Sequence, residues 1–168
     1  GVPFSSAVEK AMKMGYTEPD PRDDLSGMDV ARKLVILARE IGLAQELIDV
    51  ALENLIPVEL KAIETFEEFL AKKAVLDQPY EELRKSLQPG EVLRYVAELD
   101  VQTEKLAIRL QKVPGNSPLG GIKNADALFE IYTESYGEEP FVIQGAGAGG
   151  AVTARGVYSD LIRMGHKY

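Results

Sequence analysis

Asp29 and Lys33 stand four residues apart near the end of a segment, residues 15–33, that reads GYTEPDPRDDLSGMDVARK. On a helix that spacing stacks the two side chains on one face, about 40° apart around the axis. The segment also carries Glu18, Asp20, Asp23 and Asp24, together with Arg22 and Arg32. Such a set can hold a zwitterionic ligand, with its ammonium between carboxylates and the lysine facing a developing alkoxide. A lysine in a cleft works as a general acid when desolvation lowers its pKa toward the working pH. The plainer alternative is a solvated acidic loop, a helix cap and one i,i+4 ion pair worth a few tenths of a kcal/mol. Against that stands the continuation LVILAREIG: burying charge on an apolar helix costs several kcal/mol per ion unless a ligand compensates.

The elements that must position these groups follow from local signals. Residues 3–14 read as a helix, with Pro3 at its entry, Ser5 or Ser6 as cap and Gly15 as stop. Residues 16–24 read as a stiff loop, because Pro19 and Pro21 forbid helix and bias Glu18 and Asp20 to extended backbone. A second helix is expected over 26–41, with Ser26 and Asp29 as a capping box and Gly42 as stop. Met28, Ala31, Leu34, Val35, Ala38 and Ile41 form its apolar face, and Val30, Ile36 and Leu37 predict burial nearly all round.

Further on, residues 48–57 read as a strand, Thr65 caps a helix over 66–75, and Pro79 opens one running to 87. Pro89-Gly90 is a turn, and strands over 91–101 and 104–113 form an antiparallel hairpin across Gln102-Thr103. After a loop over 114–121, where Asn116-Ser117-Pro118 turns the chain, come strands over 127–133 and 140–144, then a helix over 151–164. The spacings of Phe66, Phe69, Tyr80, Tyr95, Phe129, Tyr132, Phe141 and Tyr158 suit core packing. The expected fold is α+β: a mixed, mostly antiparallel sheet with helices packed on one face, in a single domain over 1–168. Within it, residues 145–168 form a glycine loop and C-terminal helix.

Composition narrows the class. The 168 residues suffice for one domain burying roughly 70% of its unfolded surface. A net charge of -8 argues against nucleic-acid or anionic-membrane partners. No apolar run reaches the roughly 20 residues that span a bilayer, and no signal peptide is evident. Zero cysteines exclude disulfides and thiolate chemistry and fit the cytoplasm. The one histidine, His166, sits in the last three residues, which argues against zinc clusters and a Ser-His-Asp triad. Asp20, Asp23, Asp24 and Asp29 offer hard-cation ligands, but Pro21 and helix geometry point several apart, so no metal site is expected. The start at Gly1, without methionine and close to a helix, suggests a fragment.

The loop GAGAGG at 145–150 follows the apolar run FVIQ and enters a helix, as a dinucleotide fingerprint does. No acidic residue lies about 20 positions on, and no second βαβ unit follows, so it is not a complete Rossmann site. Taken alone it serves close backbone packing at least as well.

The run at 15–33, together with VIQGAGAGGAVTARGVYSDLIR at 142–163, closely resembles homoserine dehydrogenases. LRYVAELD at 93–100 and VPGNSPL at 113–119 resemble the dehydrogenase half of bifunctional aspartokinase–homoserine dehydrogenases. The resemblance covers nearly the whole chain and implies the catalytic and dimerisation domain plus the C-terminal segment that returns to the cofactor domain. It implies NAD(P)-dependent interconversion of L-homoserine and L-aspartate 4-semialdehyde, in threonine, methionine and isoleucine biosynthesis. Glu18 and Asp29 would bind substrate, with Tyr16 lining the pocket. Lys33 would give the proton to the aldehyde oxygen, and Asp24 would hold Lys33 or a water. The backbone at Gly15 and Gly149 would approach the cofactor. The family's Rossmann domain, its second active-site lysine and its monovalent-cation loop lie before this segment and are absent here. The chain alone is therefore expected to be inactive, bind NAD(P) weakly and dimerise through its sheet. The alternative is a non-catalytic dimerisation or small-ligand-binding module.

Overall fold

The computed structural model describes residues 1–123, 126–147 and 149–165. The chain divides into two compact units, Gly1–Pro114 and Gly115–Tyr168, where the sequence reads as one domain.

In the first unit, α1 (Phe4–Lys13) starts directly after Pro3, with no side-chain cap. Ser5 does not cap it. Its backbone N–H and its hydroxyl both donate to the Asp77 carboxylate, at 2.8 and 2.9 Å. The helix stops at Gly15, whose φ of +69° lets Gly15 N–H reach Met12 and Tyr16 N–H reach the carbonyl of Ala11.

The expected loop over 16–24 is only partly loop, because α2 occupies Pro21–Leu25. Pro21 sits at the first helical position, where a missing N–H costs nothing, and the extended Asp20 caps it by accepting from Arg22 N–H. Next, α3 spans Met28–Glu40 and starts at Gly27 in the left-handed region (φ +77°), not in a Ser26–Asp29 capping box. A Cβ on Gly27 would lie 2.1 Å from the Tyr95 hydroxyl, so that conformation and that contact both require glycine.

The inner face of α3, Ala31, Leu34, Val35 and Ala38, packs on Leu106 and Ile108, with Leu52, Tyr95 and Leu99 beside them. Away from that face Ile36 and Leu37 are exposed, and Ile41, expected on the apolar face, follows the end of the helix and is exposed too. One sheet face covers one helix face, so an apolar composition all round did not produce burial all round.

The sheet under α3 has the order β1-β3-β2, from β1 (Val50–Leu52), β2 (Glu91–Asp100) and β3 (Lys105–Pro114). β2 and β3 are the expected antiparallel hairpin, pairing Leu99 with Leu106 and Tyr95 with Leu110. β1 runs parallel to β3, pairing Leu52 with Ile108. The strand expected over 48–57 is thus cut to three residues. Leu47–Asp49 is a 3-10 turn, and Asn54 Oδ1 accepts from Ile56 N–H, turning the chain off the sheet.

The short α4 (Val58–Lys61), α5 (Phe66–Lys72, capped by Thr65) and α6 (Asp77–Lys85) complete the unit. They build a second core around Val8, Leu25, Ile56, Leu60, Phe69 and Leu76. α6 begins two residues before Pro79, so that proline lies inside the first turn.

In the second unit, α7 (Pro118–Gly121) is capped by Ser117; β4 (Asp126–Ile131) and β5 (Phe141–Ala146) pair antiparallel, and α8 spans Gly150–Gly165. β4 and β5 form their own sheet, so the expected mixed, mostly antiparallel pairing is distributed over two small sheets. Phe129 pairs with Ile143 and Ile131 with Phe141, yet all four side chains are exposed, as are Tyr132 and Tyr158. The expected packing role therefore fails for Phe129, Tyr132, Phe141 and Tyr158 in this chain. It holds for Phe69, which is fully buried, and for Tyr80, whose ring stacks on Phe4 at 3.8 Å. His166 lies outside the described residues. Among the described residues no helix is long and apolar enough to cross a membrane.

Candidate active site

The acidic segment is held by three side-chain ties. At its start, the αL turn at Gly15 fixes Tyr16, which is half-exposed. Glu18 N–H donates to Asp24 Oδ2 at 2.9 Å, closing a loop across both prolines. In the middle, Arg22 Nε donates to both Asp20 carboxylate oxygens, at 2.8 and 3.0 Å. That hydrogen-bonded guanidinium holds the Asp20 carboxyl below the usual carboxylate range, and Asp20 in turn raises Arg22. At the head of α3, Lys33 Nζ donates to Asp29 Oδ2 at 2.6 Å, the stacked rung that their spacing predicts.

The structure therefore groups the candidate residues in two bonded pairs, Glu18 with Asp24 and Asp29 with Lys33. No hydrogen bond or ion pair among the described residues joins one pair to the other. The Asp24 carboxylate bonds Glu18, not Lys33. The Lys33 side chain is 70% exposed and that of Asp29 is 38% exposed, so this chain alone does not desolvate the lysine. A hollow of about 620 Å³ in the first unit is lined by residues including Phe4, Asp77, Tyr80 and Tyr95 and by none of these four. Each of Asp20, Asp24 and Asp29 is already engaged by a donor, and among the described residues no three His, Asp or Glu side chains cluster as metal ligands.

Gly149 belongs to the second unit. Its φ is +120°, and its carbonyl accepts from Val152 N–H, Thr153 N–H and the Thr153 hydroxyl at the start of α8. A Cβ at Gly149 or at Gly15 would meet nothing within 4 Å, so both backbones face open space.

Two residues with structural weight were given no role from sequence. Arg22 is in sequence only one of the cations of the segment, although Asp-Pro-Arg is a capping Asx followed by proline at the first helical position. Gly27 lies inside the expected Ser26–Asp29 capping box, and nothing in that pattern signals its left-handed backbone.

The first unit thus carries a carboxylate–lysine rung in the first turns of α3, preceded in sequence by a bend that a carboxylate closes. Comparison with known proteins fixes its family. The family model for homoserine dehydrogenase matches residues 1–162. Over 96% of this chain, 163 residues are 44% identical to the homoserine dehydrogenase of Paracoccidioides brasiliensis, covering 44% of that protein. The maize bifunctional aspartokinase/homoserine dehydrogenase 1, a chloroplastic protein, is 43% identical over 162 residues, 96% of this chain and 18% of its own length. A crystal structure of a Candida auris protein of unknown function superposes with a TM-score of 0.84 and 39% identity, over 98% of this chain and 46% of that one. The chain belongs to the homoserine dehydrogenase family and spans less than half the length of these relatives. Monofunctional and bifunctional relatives match it equally well.

Proposed function

We propose that this chain is the catalytic segment of an NAD(P)-dependent homoserine dehydrogenase, interconverting L-homoserine and L-aspartate 4-semialdehyde. The observation that carries the reading is the Asp29–Lys33 rung, 2.6 Å long and one turn inside α3, in a chain of this family. Glu18 and Asp29 bind the substrate ammonium by charge-assisted hydrogen bonds. Lys33 gives a proton to the carbonyl oxygen on reduction and takes the hydroxyl proton on oxidation. Asp24 keeps Glu18 in place through its backbone N–H, and Tyr16 lines the pocket. NAD(P), when bound, supplies or accepts the hydride. The open backbone at Gly15 and at Gly149 leaves room for a nicotinamide ring at each.

Water must be excluded for a lysine to act as acid at neutral pH. With Lys33 largely exposed, that exclusion falls to the nucleotide-binding part of the full protein, so the 168-residue chain alone is inactive. The exposed apolar face of Phe129, Ile131, Phe141 and Ile143 favours a second, compatible role for the chain as a dimerisation module. A two-stranded sheet is marginal without cover, and a second copy meeting the sheet supplies it. The absence of cysteine supports a cytoplasmic setting. The test is to mix the full-length protein, and separately this chain, with L-homoserine and NADP and to follow NADPH absorbance. Turnover by the full-length protein only is the expected result; none by either rejects the reading.

A further inference from the structure

We infer that Arg22 is a positioning residue for the substrate ammonium site, an inference that rests on the dehydrogenase reading. Its guanidinium ties the twin-proline bend to the helical core and so places Glu18. One edge of the fork holds Asp20, through Nε at 2.8 and 3.0 Å. The other amine, Nη1, donates to the carbonyls of Ile63 and Glu64 at 2.9 and 3.2 Å, more than 40 residues away in sequence. The guanidinium also lies 5.7 Å from the ring centre of Phe69, a fully buried member of the second core. The bend is thus bolted in its middle to the α4–α5 corner.

From Asp20 that position passes to Glu18 through a single residue, Pro19, whose φ is fixed by its ring. The return path is the Glu18 N–H bond to Asp24, one helical turn beyond Pro21. Without the bolt, the Glu18–Asp24 bond alone closes the loop, so it opens more often and the loop can swing against α3. Lysine cannot replace the arginine. Its point charge could pair with Asp20 but could not also reach two carbonyls in the plane of a fork.

Steady-state kinetics of the full-length Arg22→Lys protein test this, with Thr65→Ala as control. The control removes the α5 cap (Glu68 N–H to Thr65 Oγ1, 3.3 Å) and loosens the same corner without touching the bend. Arg22→Lys should raise KM for homoserine about tenfold, with kcat within about twofold and KM for NADP unchanged, as expected for lost uniform binding. Thr65→Ala should lower the melting temperature and leave KM for homoserine unchanged. The inference is overturned if Arg22→Lys leaves that KM unchanged, or if Thr65→Ala raises it equally. Amide hydrogen exchange decides the same point without catalysis. Faster exchange at Glu18 in Arg22→Lys, with Leu34 and Val35 unaffected, supports the inference, and unaltered exchange at Glu18 overturns it. Absence of homoserine turnover in the wild-type protein would reject the dehydrogenase reading and leave this second measurement to judge the role of Arg22 in the bend.

Discussion

The Glu18 backbone N–H donates to Asp24 Oδ2 at 2.9 Å, so one carboxylate of the acidic segment fixes the backbone that presents another. The bond spans six residues and encloses both prolines. It gives Asp24 a geometric task that needs an acceptor oxygen and no negative charge.

Replacement of Asp24 separates acceptor from charge. In the full-length enzyme Asp24→Asn keeps an acceptor oxygen and should hold kcat/KM for homoserine within about threefold. Asp24→Ala frees Glu18 and should lower it at least about tenfold, or about 1.4 kcal/mol. Steady-state kinetics of the two variants check the order.

The fold of the first unit depends on Ser5, buried with both donors on Asp77. Asp77→Ala leaves two donors without their acceptor and should destabilise the unit by about 1–3 kcal/mol. Ser5→Ala removes one donor of the pair and should cost less. Urea denaturation of the 168-residue chain measures both.

Gly27 admits no side chain. Gly27→Ala forces φ +77° on an L-residue and drives a Cβ to 2.1 Å from the Tyr95 hydroxyl and 2.7 Å from Leu52 Cδ1. A loss of at least about 2 kcal/mol is expected, from left-handed backbone plus overpacking. Adding Tyr95→Phe relieves the hydroxyl clash and should recover part of the loss, because the backbone strain and the Leu52 contact persist. Denaturation midpoints of the single and double variants give the comparison.

Stability at high pH follows from Tyr95. Burial is the larger cause and the nearby Glu53 carboxylate the lesser one that push its phenol up to about 12 from an ordinary value of 10.0. The unfolded chain therefore releases this proton first, and the folded state binds more protons between the two values. The stabilisation is complete below pH 10 and is lost as pH rises toward 12. Tyr80 is raised too, by burial first and by Glu53 second, and acts in the same direction. Urea midpoints should fall steeply across this window, and less steeply in Tyr95→Phe.

Local chemistry made much of this structure legible in sequence. Gly15 and Gly42 end α1 and α3 because only glycine enters the left-handed region without strain, and each closes the helix with the expected backbone bonds. Alternation along residues 91–113 yields the β2–β3 hairpin, whose pairing is set by a near turn. The pairing of β1 with β3 joins Leu52 to Ile108, and no local signal specifies so distant a parallel partner. The burial of α3 is less than its sequence predicts, because Ile36 and Leu37 signal apolar surface without saying whether anything covers it. At the site, the Asp29–Lys33 rung follows from a spacing of four. The role of Arg22 does not, since its partners at Ile63 and Glu64 are backbone carbonyls that carry no side-chain signature.

The proton-donor role of Lys33 is the point on which the functional account turns. The decisive measurement is kcat of the full-length Lys33→Met protein with L-homoserine and NADP, alongside calorimetric homoserine affinity. Loss of a positioned general acid–base predicts a fall in kcat of about 10²–10⁴-fold, with affinity changed far less. A variant whose kcat stays within about twofold of wild type would contradict the assignment of the chemistry to this rung.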